Sequence, residues 1–228
     1  MREIVLDTET TGLDPATGDR IVEIACLELV NHVPTGRTYH QYLNPERAMS
    51  AEAFAVHGLG DDFLADKPRF AEIVDAFAGF VGDAGLVIHN AEFDLKFLDA
   101  ELAKVGRPPL GPARATDTLA LARKRFPGAP ASLDALCKRF DVDASARVLH
   151  GALLDCELLA EVYLHLLGGR QPGFAFAAAS GRGAGDVARA ERAPRPPRPH
   201  APSAADVAAH RAFVERLTDP LWKRFDDV

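Results

Sequence analysis

The sequence is poor in cysteine and in long apolar runs, and both shortages exclude classes of protein. Its 228 residues include three cysteines, Cys26, Cys137 and Cys156. They are far apart and each lies in an apolar pattern, so we expect reduced core residues, not a disulfide framework or a zinc site. No apolar run approaches the length that spans a membrane, and the N-terminus lacks the basic and apolar regions of a signal peptide. We therefore expect a cytoplasmic protein without a membrane anchor.

Positive charge is also scarce over most of the chain. The net charge is −7, and residues 1–169 carry 16 Lys and Arg against 26 Asp and Glu, whereas residues 170–228 carry 10 against 7. A body this acidic does not hold nucleic acid by attraction to phosphates. If the protein acts on DNA, it needs metal ions at its site and a partner that delivers the strand.

Periodic apolar patterns predict an α/β fold. Strands over residues 2–7, 21–29 and 37–43, with turn residues at 18–19 and 34–36, predict an antiparallel meander. Short strands over residues 85–88 and 113–117 then alternate with helices that begin near residues 50, 70, 93, 119, 132 and 151. This order predicts a mixed five-stranded sheet flanked by helices, within a domain that spans residues 1–169.

Two acidic residues follow the first apolar run. Asp7 and Glu9 lie two positions apart, so in a strand their side chains point to the same face. Two carboxylates on one side of a buried strand repel each other and lose hydration unless positive charge neutralises them. Oxygen ligands of this kind suit hard divalent cations such as Mg²⁺ or Mn²⁺. An isolated pair is more often a strand end that runs into a polar turn, so the interpretation depends on further ligands.

Further acidic residues lie at the starts of two predicted helices. Asp94 follows the strand that ends at residue 88, and Asp155 lies one turn inside the last long helix. Strand ends and helix starts of such sheets converge on one rim, where four carboxylates could hold two metal ions for displacement at phosphorus. His150 precedes the last helix, and histidine is the side chain most often used to move protons at physiological pH. It therefore fits a general base that takes a proton from water.

Three segments that contain these residues resemble the three motifs of the DEDDh 3′→5′ exonuclease family. They read Asp-Thr-Glu-Thr-Thr-Gly-Leu over residues 7–13, His-Asn-Ala-Glu-Phe-Asp over residues 89–94 and His-Gly-Ala-Leu-Leu-Asp over residues 150–155. The resemblance covers residues 2 to about 168. It implies a ribonuclease-H-like fold, two Mg²⁺ or Mn²⁺ ions and release of nucleoside monophosphates from a 3′ end. The family's four metal ligands and its histidine base are all present, which implies an active enzyme.

The same resemblance implies a set of residues that contact the last nucleotides of the strand: Thr10, Thr11, Leu13, His57, Asn90 and Phe93. For three of these the residues alone leave another interpretation open. Phe93 also fits a core position, His57 the end of a helix, and Asn90 a turn or a supporting hydrogen bond. Asp117 fits a helix cap. The remaining histidines of interest, which we expect to be structural, are His40, His89 and His165.

The composition changes after residue 169. Residues 170–177 contain Gln171, Phe174 and Phe176, which resemble the short peptide with which bacterial proteins bind the sliding clamp (beta). Residues 178–202 are rich in Ala, Gly, Arg and Pro, so we expect a disordered linker. Residues 203–228 predict a C-terminal helix whose apolar side chains fit a groove on a partner, or else fold back on the domain. Those side chains are Val207, Phe213, Leu217, Leu221, Trp222 and Phe225.

The layout as a whole resembles the proofreading exonucleases of bacterial DNA polymerase III, whose C-terminal segment binds the catalytic alpha subunit. That resemblance implies removal of mismatched nucleotides from the single-stranded 3′ end of DNA, and it leaves open whether a small third core subunit joins. Two alternatives remain. One is a free-standing exoribonuclease or repair exonuclease of the same family, and the other is a non-catalytic adaptor between polymerase and clamp. The intact set of catalytic residues argues against the adaptor.

Overall fold

The computed structural model of the protein describes residues 1–145, 147, 149–169 and 201–218. The chain divides into two compact units, Met1–Ala178 and Ala179–Val228, which are described separately. The predicted clamp-binding peptide and most of the predicted linker lie outside the described residues. Within the part that is described, no helix is both long enough and apolar enough to cross a membrane.

The first unit is built on a five-stranded mixed sheet, as predicted. Its strands are β1 (Arg2–Thr10), β2 (Ile21–Val30), β3 (Val33–Tyr42), β4 (Gly85–Ile88) and β5 (Ala115–Asp117). The order across the sheet is β3-β2-β1-β4-β5. The first three strands form an antiparallel meander, and β4 pairs parallel with both β1 and β5. Strand β1 therefore lies at the centre of the sheet, where both of its faces are covered.

The turn between β2 and β3 differs from the prediction. Pro34 to Gly36 are part of β3, and the chain reverses at Asn31 and His32, which have φ of 52° and 65°. Two consecutive residues with positive φ make the type of two-residue turn whose twist matches the strands of a hairpin. Pro34 is tolerated because β3 is an edge strand of the sheet.

Seven α-helices surround the sheet among the described residues of this unit. They are α1 (Ala51–His57), α2 (Asp61–Leu64), α3 (Phe70–Val81), α4 (Ala91–Lys104), α5 (Thr118–Arg125), α6 (Leu133–Phe140) and α7 (Ala152–Leu166). Only the short α2 was not predicted. Ser50, Asp117 and Ser132 accept backbone N–H groups as N-caps of α1, α5 and α6. Ser50 caps α1 without a capping box, because the third residue of α1 is Ala53 and not a glutamate.

Two apolar layers cover the sheet. On one face Ile4 and Leu6 of β1 pack with α3 and α4, and on the other Val5 packs with α6 and α7. Cys26 belongs to the first layer, and Cys137 and Cys156 belong to the second. All three cysteines are buried and free, which confirms that they are core residues.

The second unit contains one described helix, α8 (Ala204–Glu215). Ser203 caps it as predicted, and Asp206 completes a capping box with Ser203. Of the side chains predicted to bind a partner, Val207 is half-buried, and Phe213 and Leu217 are exposed by 58% and 37%. Leu221, Trp222 and Phe225 lie outside the described residues. The docking role of this segment stays a prediction.

Candidate active site

The end of β1 supplies two carboxylates to one face of the sheet. Asp7 and Glu9 follow Val5 at alternate positions, so they point to the face that α7 covers. Glu9 is buried, and Asp7 is partly exposed to a pocket. Thr8, between them, points to the other face and donates a hydrogen bond of 2.7 Å to Asp94 Oδ1. The strand thus places two of the predicted ligands itself and orients a third.

Asp94 lies in the first turn of α4 and is 3% exposed. The helix starts after Asn90, which has a left-handed conformation with φ of 68°. The backbone N–H of Asn90 donates a hydrogen bond of 3.1 Å to Asp117 Oδ1, the same atom that caps α5. Asn90 therefore forms the turn that aims α4 at the end of β1, and Asp117 is the helix cap that the sequence predicts.

Asp155 lies in the first turn of α7, and an arginine holds it. Arg147 donates two hydrogen bonds to the Asp155 carboxylate, at 2.5 and 2.6 Å, and another of 2.5 Å to Asp134 Oδ1. The forked contact raises the already high pKa of Arg147 further. Sequence reasoning did not single out Arg147. Its only signal was a basic residue three positions before His150.

His150 is the exposed member of the site, with 48% of its side chain accessible. Its Nδ1 accepts a hydrogen bond of 2.9 Å from Arg147, since an arginine can only donate. The same atom lies 3.6 Å from Asp155 Oδ2. The backbone N–H of His150 donates to Val56 O at 3.1 Å, which ties the segment to the end of α1. In this arrangement the lone pair on Nδ1 is occupied.

The carboxylates share one pocket of about 340 Å³, which all five predicted catalytic and metal-binding residues line. Those residues are Asp7, Glu9, Asp94, His150 and Asp155. Among the described residues, one ligand atom each from Glu9, His150 and Asp155 lie within 4.8 Å of one another. The structure therefore brings together residues that are up to 148 positions apart in the chain. Their roles stay predictions.

Burial and mutual repulsion perturb these acids. Burial raises the pKa of Asp7 well above its usual range, and the charges of Asp94 and Glu9 raise it further. Burial, and then the charges of Glu23 and Asp155, raise the pKa of Glu9 to about 8. Burial likewise raises the pKa of Asp94 to about 7. A cluster that resists carrying its full negative charge is suited to divalent cations, so the donor set fits the predicted metal ions.

Glu23 is a further acidic residue that the sequence did not single out. It is opposite Glu9 in the pairing of β1 with β2, and it is buried. Its Oε1 accepts a hydrogen bond of 2.6 Å from His40 Nε2, so His40 is structural as expected. The signal in the sequence was an acidic residue within a strand that is apolar except at Glu23 and Glu28.

A second pocket of about 470 Å³ adjoins the first at Glu9 and Phe93. Thr10, Leu13 and His57 also line it, so four residues predicted to bind nucleotides lie around one cavity. Asn90 lines the carboxylate pocket instead. Phe93 is half-buried and also packs on Phe97, which is 5.1 Å away between ring centroids.

His57 and Thr11 are both buried. His57 is the last residue of α1 and is buried. Its Nδ1 accepts a hydrogen bond of 3.0 Å from Leu59 N, so Nε2 donates to Thr10 O at 3.3 Å. Burial lowers the pKa of His57, which favours the neutral ring. Thr11 is fully buried and lines neither pocket, because its Oγ1 donates a hydrogen bond of 3.2 Å to Asp19.

Comparisons with known proteins agree with this arrangement. The RNase T family model, described as Exonuclease, matches residues 4–163. The chain is 57% identical to the DNA polymerase III subunit epsilon of Rickettsia conorii, over 76% of this chain and 77% of that protein. It is 51% identical to the protein of the same name from Escherichia coli, over 77% of this chain and 75% of that protein.

Two solved structures resemble the fold. Exonuclease X in complex with 5′ overhanging duplex DNA matches with a TM-score of 0.58 and 29% identity, over 72% of this chain and 90% of that chain. A structure of exonuclease I matches with a TM-score of 0.64 and 19% identity, over 75% of this chain and 41% of that chain. The second likeness is one of fold alone.

Proposed function

The chain belongs to the exonuclease family, and we propose that it is the proofreading subunit of a DNA polymerase III, as its relatives' names indicate. It is a metal-dependent 3′→5′ exonuclease that removes mismatched 3′-terminal nucleotides from DNA. The observation that carries the proposal is the single pocket lined by Asp7, Glu9, Asp94, His150 and Asp155. Exonucleases of this family use divalent metal ions, and the buried acids with raised pKa values fit such ions.

The four carboxylates would hold two ions, Mg²⁺ or Mn²⁺. When bound, the ions supply the Lewis acidity that makes water a nucleophile and offsets charge at phosphorus. Thr8 would keep Asp94 oriented, and Arg147 would do the same for Asp155. His150 would take the proton of the attacking water, since it is the exposed titratable group beside Glu9 and Asp155. Proton transfer to Nδ1 requires Arg147 to move away from the ring, because Arg147 occupies that lone pair.

The second pocket would receive the 3′-terminal nucleotide. Leu13 and Phe93 offer apolar surface to a base or sugar, and Thr10 lines the same pocket. A site of this kind accepts unpaired strand. Melting a mispaired end costs less free energy than melting a matched end, so mismatched ends would enter the site more often.

The acidic charge of residues 1–169 supports a role within an assembly. A polymerase that hands over the 3′ end removes the need for independent affinity for DNA. We propose that residues 203–228 bind the catalytic alpha subunit of the polymerase and that residues 170–177 bind the sliding clamp. We further propose that residues 1–169 suffice for hydrolysis. A third small core subunit has no specific support in the residues.

A 5′-labelled primer–template with a matched or mismatched 3′ end tests the function. The full-length protein and a chain that ends at Gly169 should both shorten the primer from its 3′ end with Mg²⁺, faster on the mismatch, and neither should act with chelator. A variant with Asp7→Ala and Glu9→Ala is the inactive control, and Asp66→Asn, at an exposed acid, is the matched active control. Cleavage restricted to RNA, or no cleavage by wild type, would contradict the proposal.

The free-standing exonuclease remains the second candidate, because the chain is also similar to exonuclease X over 90% of that chain. Gel filtration of the full-length protein with a polymerase alpha subunit separates the two functions. The proposal expects a stable complex that is lost when the chain ends at Gly169. A free-standing enzyme would show no complex with either chain.

A further inference from the structure

Leu13 is unusually exposed for an apolar residue. The loop that carries it is nevertheless held in place by hydrogen bonds. Leu13 is 82% exposed, and it lines the second pocket together with Phe93. Covering an exposed leucine with an apolar partner removes apolar surface from water, which favours binding. The gain is available to a bound nucleotide only if the loop already holds the side chain in place, since ordering a loop on binding costs entropy.

The half-buried carboxylate of Asp19 holds this loop. Asp19 Oδ1 accepts a hydrogen bond of 3.2 Å from Thr11 Oγ1 and forms an ion pair of 2.9 Å with Arg47 Nη1. Asp19 Oδ2 accepts from the backbone N–H of Asp14 at 3.1 Å. Asp19 therefore contacts the residues on both sides of Gly12 and Leu13 and fastens them to the segment after β3.

Gly12 fits against the same carboxylate. A Cβ atom added to Gly12 would lie 2.3 Å from Asp19 Oδ2 and 2.5 Å from Asp19 Cγ. Real Cβ atoms essentially never approach so closely, so only glycine lets the loop pack flat on Asp19. The carbonyl of Gly12 in turn accepts a hydrogen bond of 2.6 Å from Thr10 Oγ1. The loop, the pocket wall and Asp19 thus form one packed unit.

We infer that Asp19 is a positioning residue for substrate binding, which acts through Gly12 to hold Leu13 and Thr10 at the pocket that receives the terminal nucleotide. This inference rests on the proposed function. Asp19 touches none of the four predicted metal ligands through the hydrogen bonds and ion pairs of the described residues. Loosening the loop should therefore weaken substrate binding and leave the chemical step nearly unchanged.

The test compares steady-state hydrolysis of a short 5′-labelled single strand with Mg²⁺ by full-length wild type and variants. We expect Gly12→Ala and Asp19→Ala each to raise KM about tenfold, with kcat within about threefold of wild type. Asp19→Asn, which keeps the volume and loses the charge, should raise KM less. Asp66→Asn is the matched control with unchanged KM.

A double-mutant cycle separates positioning from general destabilisation. The alanine of Gly12→Ala clashes with the Asp19 carboxylate, so in the Asp19→Ala background it should add almost nothing to KM. The inference would be overturned if the KM increases of Gly12→Ala and Asp19→Ala were additive in the double variant. It would also be overturned if Asp19→Asn lowered Tm and left KM unchanged. A fall in kcat at constant KM would also overturn it. Absence of hydrolysis by wild type would instead refute the proposed function, and the inference with it.

Discussion

Replacement of Glu9 by glutamine should stabilise the metal-free protein at alkaline pH. Glu9 is buried beside three other carboxylates, and its pKa is raised from 4.5 to about 8. Between these pH values the folded protein holds a proton that the unfolded chain has released. The free energy of unfolding therefore falls as the pH rises through this range. Glutamine keeps the shape of the side chain and removes the charge that causes the loss.

The magnitude follows from the pKa of Glu9. From pH 5.5 to pH 8, at about 1.4 kcal/mol for each pH unit, Glu9 alone lowers the free energy of unfolding by about 3 kcal/mol. For a domain of this size about 1 kcal/mol changes Tm by roughly 2–4 °C, so the expected loss of Tm is roughly 6–12 °C. Glu9→Gln should recover most of that difference at pH 8 and change Tm little at pH 5.5.

Thermal unfolding in chelator at the two pH values measures this effect. Glu161→Gln, at an exposed position of α7, is the matched control and should follow wild type. Added Mg²⁺ should raise the Tm of wild type more at pH 8 than at pH 5.5, because the cation replaces the protons. If Glu9→Gln is no more stable than wild type at pH 8 in chelator, the reasoning about buried repulsion is wrong.

Three further predictions concern the site and the tail. His150→Ala should lower kcat roughly 10²–10⁴-fold with little change in Mn²⁺ affinity by calorimetry, and near-normal turnover would remove His150 as the base. Arg147→Gln should lower Tm in chelator, since it leaves Asp155 buried without a counter-charge, at a cost of roughly 3–5 kcal/mol. Mg²⁺ should restore much of that loss, and an equal Tm difference with and without Mg²⁺ would contradict this. Gln171→Ala with Phe176→Ala should weaken binding to a sliding clamp in surface plasmon resonance, and unchanged affinity would refute the clamp peptide.

Local patterns in the sequence were sufficient for most of the fold. Period-two and helical spacing placed all five strands and every helix except α2, because apolar faces must meet a core whatever the detailed packing. The cap at Asp117 was predictable because one side chain satisfies nearby N–H groups. The turn at Asn31 and His32 was not, since Pro34 and Gly36 resemble turn residues until pairing with β2 draws them into an edge strand.

The candidate site also has a part that the sequence predicts and a part that only the structure gives. Asp7, Glu9, Asp94, His150 and Asp155 could be named from the sequence because each stands in a short motif with fixed spacing. Their convergence in one pocket needed the sheet order, which sets β4 beside β1 and α7 across them.

The residues around those ligands were decided only by the tertiary structure. No sequence motif contains Glu23, Arg147 or Asp19. Each contacts a partner that lies 8 or more positions away in the chain or on another strand. Burial of Thr11 likewise depends on Asp19. The sequence by itself determined the elements, because these follow from local spacing, and it named the candidate reacting groups through motifs that resemble those of a known family. Charge pairing and burial depend on distances between remote segments, and only the folded chain sets those distances.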